Sequence, residues 1–260
     1  MLGKLKELWQ SSDFARENLN FRETVGLLLE KYGYDRDTLL LGKEISCPEL
    51  ISDFEEAVKG EPFGYILGKV PFFKENFFVE EGVLIPRCDS EVLVEKAIEL
   101  IPKNAVFADI CTGSGCLGIS VLKERPDLKA ILLDISPIAK RVCEKNISSL
   151  GVADRCSFIQ FDLFNDTLPQ CSAILMNPPY ITKEEMKKLP RNVMREPALA
   201  LDGGEDGLDF YRYAASSKDF KNKLLIFEIG YMQGIALREL FGGGDIVPDL
   251  SGNDRVFILQ

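Results

Sequence analysis

Apolar residues along this chain keep two different rhythms, and the change between them divides it. Over the first sixty residues the spacing is helical. Val25, Leu28, Leu29 and Tyr32 share one face, and Leu50, Ile51, Phe54 and Val58 repeat that spacing. Ser46 and Glu49 have the form of a capping box at the start of the latter helix. Three or four short helices joined by polar loops predict a small helical bundle over residues 1–70. The pattern breaks between Gly60 and Pro71. Phe72, Phe73, Phe77, Phe78 and Val79 then read as strand, with Glu80-Glu81-Gly82 as a hairpin-like turn before Val83-Leu84-Ile85. Residues 71–86 are therefore expected to form a linker hairpin.

From residue 87 to 260 short apolar runs alternate with amphipathic stretches. A helix to Ile101 leads into a strand at Val106, and strand and helix then alternate. Later strands are expected near Ser157 to Gln160, at 172–176 and at 224–228, with a helix over about 205–219. Arg255 to Leu259 reads as an edge strand. Such alternation predicts an α/β domain, a doubly wound parallel sheet with helices on both faces. Ligands of these sheets sit at the carboxyl ends of the strands. Asp109, Asp134, Asp162 and Asn177 all fall at predicted strand ends.

The first of those ends carries Asp109-Ile110-Cys111-Thr112-Gly113-Ser114-Gly115. Gly113 and Gly115 permit positive φ and close backbone approach, and the helix that follows offers free N–H groups at its start. The next strand ends at Asp134, placed to accept hydrogen bonds from ribose hydroxyls, and Ser136-Pro137 supplies a cap and a first-turn proline for the next helix. Gly113-x-Gly115-x-x-Gly118 also satisfies the dinucleotide fingerprint. Asn177-Pro178-Pro179-Tyr180 decides between a dinucleotide and S-adenosylmethionine as cofactor. Its prolines fix φ and remove two donors, leaving mainly acceptors: the Asn177 side-chain oxygen and backbone carbonyls. That arrangement suits a planar NH2 group donating both hydrogens. Amino-group methylation needs such a site and hydride transfer does not.

Composition narrows the field further. The 260 residues carry a net charge of −10, which argues against general nucleic-acid binding. No apolar run approaches a membrane span, and no signal peptide is evident in residues 1–40. Seven cysteines without a CxxC pair suit a reducing cytoplasm. Histidine is absent altogether, which excludes Ser-His-Asp and Cys-His catalysis and every His-ligated metal site. No metal is expected.

At these residues the chain resembles the protein-(glutamine) methyltransferases that modify bacterial-type peptide chain release factors. The resemblance runs nearly end to end. It includes Glu61-Pro62-Phe63-Gly64-Tyr65-Ile66-Leu67-Gly68, Leu84-Ile85-Pro86-Arg87, the Asp109 and Asn177 motifs, and Glu196-Pro197. Leu201-Asp202-Gly203-Gly204-Glu205-Asp206-Gly207-Leu208, Glu228-Ile229-Gly230-Tyr231 and Gly252-Asn253-Asp254-Arg255 extend it. The resemblance implies a helical N-terminal domain that grips the substrate protein and a seven-stranded, Rossmann-like methyltransferase domain. It implies S-adenosyl-L-methionine as cofactor, S-adenosyl-L-homocysteine as product, and the glutamine of the Gly-Gly-Gln motif of class I release factors as acceptor. Cys111, Thr112, Gly113, Ser114 and Gly115 are expected to pack against the methionine and ribose, Asp134 to hold the ribose, and Asp162 and Leu163 to meet the adenine. Asn177, which also borders the cofactor, and the Pro178 carbonyl would accept the two amide hydrogens, while Pro179 and Tyr180 wall the substrate pocket.

Two departures stand out: Cys111 replaces a glycine common in the general motif, and Leu163 stands where some relatives have an aromatic. The protein is expected to act as a cytoplasmic monomer without direct nucleic-acid or membrane contact. Asn-Pro-Pro-Tyr alone also occurs in DNA adenine and RNA guanine amino-methyltransferases, and a ribosomal-protein glutamine methyltransferase is poorly separated by sequence. A non-catalytic module that retains cofactor is the remaining alternative.

Overall fold

The computed structural model describes residues 1–38 and 41–260, which fall into two compact units. The first comprises Met1–Lys69 and Pro190–Arg195; the second comprises Val70–Leu189 and Glu196–Gln260.

Among the described residues five α-helices form the first unit: α1 (Leu2–Ser11), α2 (Asp13–Asn18), α3 (Phe21–Lys31), α4 (Pro48–Val58) and α5 (Phe63–Leu67). Their apolar faces meet in a core in which Leu5, Leu28, Leu29, Leu50 and Phe54 are fully buried. Ser12 caps α2 by accepting from the Ala15 N–H, and its hydroxyl donates to the Val58 carbonyl at 2.7 Å, which fixes α2 against the end of α4. The expected capping box at α4 does not form. Cys47 is the N-cap, without a side-chain cap bond, and Pro48 opens the helix because its φ is already helical. Arg195 belongs with this unit through a 2.8 Å ion pair to Glu61. The hydrophobic pattern assigned residues 190–195 elsewhere, since a six-residue excursion has no periodicity.

β1 (Lys69–Phe72), which lies in the second unit from Val70 on, and β2 (Glu75–Phe78) make a two-stranded ribbon. The turn lies at Phe73-Lys74, with Phe73 at φ +55°, and not at Glu80-Glu81-Gly82; residues 83–85 form no strand. The remaining strands are β3 (Val106–Ile110), β4 (Lys129–Asp134), β5 (Cys156–Gln160), β6 (Ala173–Met176), β7 (Leu224–Glu228), β8 (Asp245–Pro248) and β9 (Asp254–Leu259). They form one seven-stranded sheet in the order β5-β4-β3-β6-β7-β9-β8. The first five are mutually parallel, and β9 runs antiparallel to both β7 and β8. β9 is therefore interior, with β8 at the edge, which corrects the reading of Arg255–Leu259 as an edge strand. Its Val256 and Phe257 are fully buried, as an interior strand requires.

The connecting helices are α6 (Glu91–Leu100), α7 (Cys116–Glu124), α8 (Pro137–Ser149), the single turn α9 (Lys183–Met186), α10 (Asp209–Ser216) and α11 (Gly234–Phe241). Side chains alternate across the sheet with period two. Phe107, Leu132, Leu175 and Ile226 enter one core, whereas Ala108, Leu133, Met176 and Phe227 enter the other. This is a Rossmann-like α/β fold with one antiparallel strand, β9. Strand order reverses between β3 and β6, so the loops after those strands part and leave a crevice. No helix among the described residues is long and apolar enough to cross a membrane.

Candidate active site

That crevice opens into a cavity of about 130 Å³ at the carboxyl ends of the parallel strands. Among the expected site residues Cys111, Gly113, Asp134, Asp162, Leu163, Asn177 and Pro179 line it. Thr112, Ser114, Gly115, Pro178 and Tyr180 do not line it.

The loop after β3 owes its shape to two carboxylates. Asp109 is fully buried, and its Oδ2 accepts from the Thr112 hydroxyl at 2.6 Å and the Gly118 N–H at 3.0 Å. Burial pushes its carboxyl up to about 7. A carboxylate thus already occupies the start of α7, where a dinucleotide fold presents N–H groups to a pyrophosphate. Gly118 leaves no alternative, because a Cβ there would stand 2.5 Å from Leu132 and 3.0 Å from the Asp109 carboxylate. Asp134 holds the loop from the other side. Its Oδ2 accepts from the Gly113 N–H and its Oδ1 from the Ser136 N–H, both at 2.9 Å. Burial raises its pKa, and those two N–H groups oppose the rise. Each carboxylate oxygen retains a further lone pair, so ribose hydroxyls fit as additional donors.

Cys111 adopts φ +59° and Gly113 φ +54°. The left-handed conformation costs a cysteine about 1–2 kcal/mol that a glycine would not incur. Burial, followed by the nearby Asp134 and Asp109, pushes the Cys111 thiol well up, so the thiol stays neutral and is not a nucleophile. Ser114 is buried, and its carbonyl accepts from Asn146 Nδ2 at 2.9 Å. The same fully buried amide exchanges hydrogen bonds with the Phe78 N–H and carbonyl, at 2.8 and 2.9 Å. Asn146 therefore bolts the cofactor loop to β2. Nothing in its sequence neighbourhood marks it.

On the β5 side, Asp162 turns its carboxylate onto its own loop, accepting from the Phe164 N–H and the Asn165 amide. The Asn165 bond is the main reason its pKa is lowered. Leu163 is buried, and the neighbouring Phe164 is 46% exposed at the cavity, its ring 5.2 Å from Phe210 and 5.1 Å from Tyr213. An aromatic surface is thus present one position beyond Leu163, where the sequence reading missed it. Two further straps close the cavity, Gly82-Val83-Leu84 and Pro197 to Ala200. Glu196, almost fully buried, couples them by accepting from the Ile85 N–H at 3.0 Å and pairing with Arg87.

Asn177 follows β6 and lines the cavity, and among the described residues its carboxamide makes no hydrogen bond to protein. Tyr180 donates its hydroxyl to Glu228 rather than to the cavity. The Asp202-Gly203-Gly204 segment packs on this loop: Ile181 pairs with Asp202, and a Cβ at Gly203 would lie 2.7 Å from the Tyr180 Cα. Among the described residues the cavity lining contains two carboxylates, Asp134 and Asp162, and no Lys or Arg. A site of this charge suits a sulfonium-bearing cofactor and opposes a phosphate-bearing one. Apolar walls, two ribose acceptors and the aromatic Phe164 fit a nucleoside linked to a cationic sulfur.

A family model for a methyltransferase small domain matches residues 88–205. The chain is 33% identical to the release factor glutamine methyltransferase of Thermodesulfovibrio yellowstonii, over 100% of this chain and 97% of that protein. It is 41% identical to the release factor glutamine methyltransferase of Clostridium acetobutylicum, over 77% of this chain and 75% of that protein. A crystal structure of a protein-(glutamine-N5) methyltransferase (release factor-specific) from Alicyclobacillus acidocaldarius is 27% identical, with a TM-score of 0.41, covering 67% of this chain and 92% of that one.

Proposed function

The chain belongs to the release factor glutamine methyltransferases, and from that premise we propose that it methylates the side-chain amide nitrogen of the glutamine in the Gly-Gly-Gln motif of a class I peptide chain release factor. The observation that carries this reading is the free Asn177 carboxamide at the wall of the cavity that Asp134 and Gly113 also line. S-adenosylmethionine supplies an electrophilic methyl group on a sulfonium.

A carboxamide nitrogen is a weak nucleophile because its lone pair is delocalised into the carbonyl. The Asn177 oxygen at the cavity wall and the Pro178 carbonyl, next along the chain but outside that lining, accept its two hydrogens, hold it in line for attack and favour its pyramidalisation. These acceptors and the acidic lining stabilise the positive charge that develops on nitrogen. The apolar straps exclude water. Tyr180, whose phenol pKa is raised by burial and by Glu228, stays protonated and anchors the acceptor loop to β7 rather than acting as a base. The methylated nitrogen is then strongly acidic and gives its proton to water as the product leaves, without a catalytic base.

The helical unit supplies the remaining contacts to the release factor, and the enzyme acts as a cytoplasmic monomer without direct nucleic-acid contact. The acidic charge and seven unpaired cysteines support that setting. Mass spectrometry of a class I release factor after reaction tests the substrate. One added methyl on the Gly-Gly-Gln glutamine, abolished by its Gln→Ala substitution, is expected. Labelling that persists in that variant, or appears only on a ribosomal protein or nucleic acid, overturns the substrate while leaving the chemistry.

A further inference from the structure

Gln233 follows Tyr231 and Met232, which are 59% and 77% exposed, yet its own side chain turns inward. It is the N-cap of α11, and its backbone N–H donates to the Gly230 carbonyl at 2.9 Å, so the chain is already turned when the side chain leaves it. Its Oε1 accepts from the Gly230 N–H at 2.8 Å. Its Nε2 donates to the Tyr180 carbonyl at 3.2 Å and to the Gly207 carbonyl at 3.1 Å. Both amide hydrogens are used, and three loops distant in sequence meet at one group. The gap is narrow by construction: a Cβ at Gly207 would lie 2.2 Å from the Tyr180 oxygen and 2.7 Å from Gln233 Nε2.

We propose that Gln233 is a positioning residue for methyl transfer, setting the Asn177–Tyr180 acceptor loop against the loop after β7. This rests on the acceptor role given to Asn177 above. Tyr180 is separated from Asn177 by two prolines, which cannot absorb a displacement by rotating φ. Movement of the Tyr180 carbonyl is therefore passed to the Asn177 carboxamide, and misplacement by about 1 Å is enough to lower turnover roughly a hundredfold. Gln233 does not line the cofactor cavity, so its loss leaves cofactor binding alone.

Two variants test this. Gln233→Met keeps length and removes all three hydrogen bonds. Gln233→Glu keeps the bond from Gly230 but turns an acceptor toward two carbonyls, and it stands in should the first fail to fold. Hydrogen exchange on the free protein should show the Ile181 and Gly203 amides exchanging at least about tenfold faster, with Gly113 and Gly118 unchanged. Turnover on the release factor should fall at least about tenfold while calorimetric affinity for S-adenosylmethionine stays within about twofold. Combined with Asn177→Ala, the variant should cost less than about threefold more, because both act through one group. Unchanged exchange at Ile181 and Gly203, or losses that multiply in full, overturns the inference. Should the wild-type enzyme leave the release factor unmodified, the substrate reading fails, and the exchange comparison still decides the role of Gln233.

Discussion

The hydroxyl of Tyr180 donates to Oε1 of Glu228 across 3.2 Å, tying the loop that leaves β6 to the last residue of β7. Glu228 is buried, which raises its pKa, while the Ser90 hydroxyl, the Arg255 charge and the Tyr180 hydroxyl oppose the rise. The pair is structural. Tyr180→Phe should lower stability by about 1–3 kcal/mol, since it strips a hydrogen bond from a buried acid. Urea midpoints measure this. Turnover should remain within about tenfold of wild type, a barrier change below about 1.4 kcal/mol. A far larger loss of turnover at unchanged stability would give the phenol a chemical role it is denied here.

Asp134→Ala should weaken S-adenosylmethionine by about 1.5–3 kcal/mol, the worth of hydrogen bonds to a charged acceptor. The substitution also releases the Gly113 and Ser136 N–H groups, so the loop loosens together with the ribose contact. Calorimetric titration checks it, and an unchanged dissociation constant in a folded variant removes Asp134 from the cofactor site.

Asn177→Ala should leave cofactor affinity nearly intact and collapse turnover, because orientation of the amide matters chiefly in the transition state. Retention of more than about a tenth of the wild-type rate, a loss below about 1.4 kcal/mol, rejects the acceptor mechanism. Asn177→Asp discriminates less well, since a carboxylate still accepts hydrogen bonds.

Asp109 gives stability a pH dependence of definite sign. Its folded pKa of about 7 lies above the ordinary 3.8, so between those values the native state holds a proton that the unfolded chain has released. Stability from this group is complete at low pH and declines as pH rises toward about 7, by at most about 1.4 kcal/mol per pH unit. Asp109→Asn keeps an acceptor for Thr112 and Gly118 and should remove that portion of the slope. Denaturant midpoints across this range measure it; identical slopes in both proteins would place the proton elsewhere.

Removal of residues 1–67 leaves β1 whole, since that strand begins at Lys69. The shortened protein should still bind S-adenosylmethionine but methylate an intact release factor at least about a hundredfold more slowly, through lost recognition. Full activity on the intact substrate would refute the division of labour between the units.

The buried centre of the sheet was legible because its strands are unbroken apolar runs: Ala173–Met176 is buried at every position, and Val106–Ile110 at all but the first. β8 was not. It is four residues long, half exposed, and preceded by three glycines, so it carries no alternation to detect. Its omission is what made β9 look like an edge. Asn146 and Gln233 were illegible for a different reason. A polar side chain near helical sequence has the same local signature whether it faces water or bridges two buried loops.

The sequence by itself determined the helical unit, the alternating strands and helices, and the strand ends where Asp134, Asp162 and Asn177 would stand. Those features follow from periodicity and from the local behaviour of glycine and proline, which need only neighbouring residues. Only the tertiary structure decided that Asp109 closes the start of α7, that Phe164 rather than Leu163 presents a ring, and that Glu196 couples the two straps. Glu196 meets Ile85 and Arg87 across 111 and 109 positions of chain. Hydrogen bonds are directional and reach about 3 Å, so whether such groups meet depends on the packing of whole elements and not on the spacing of their letters.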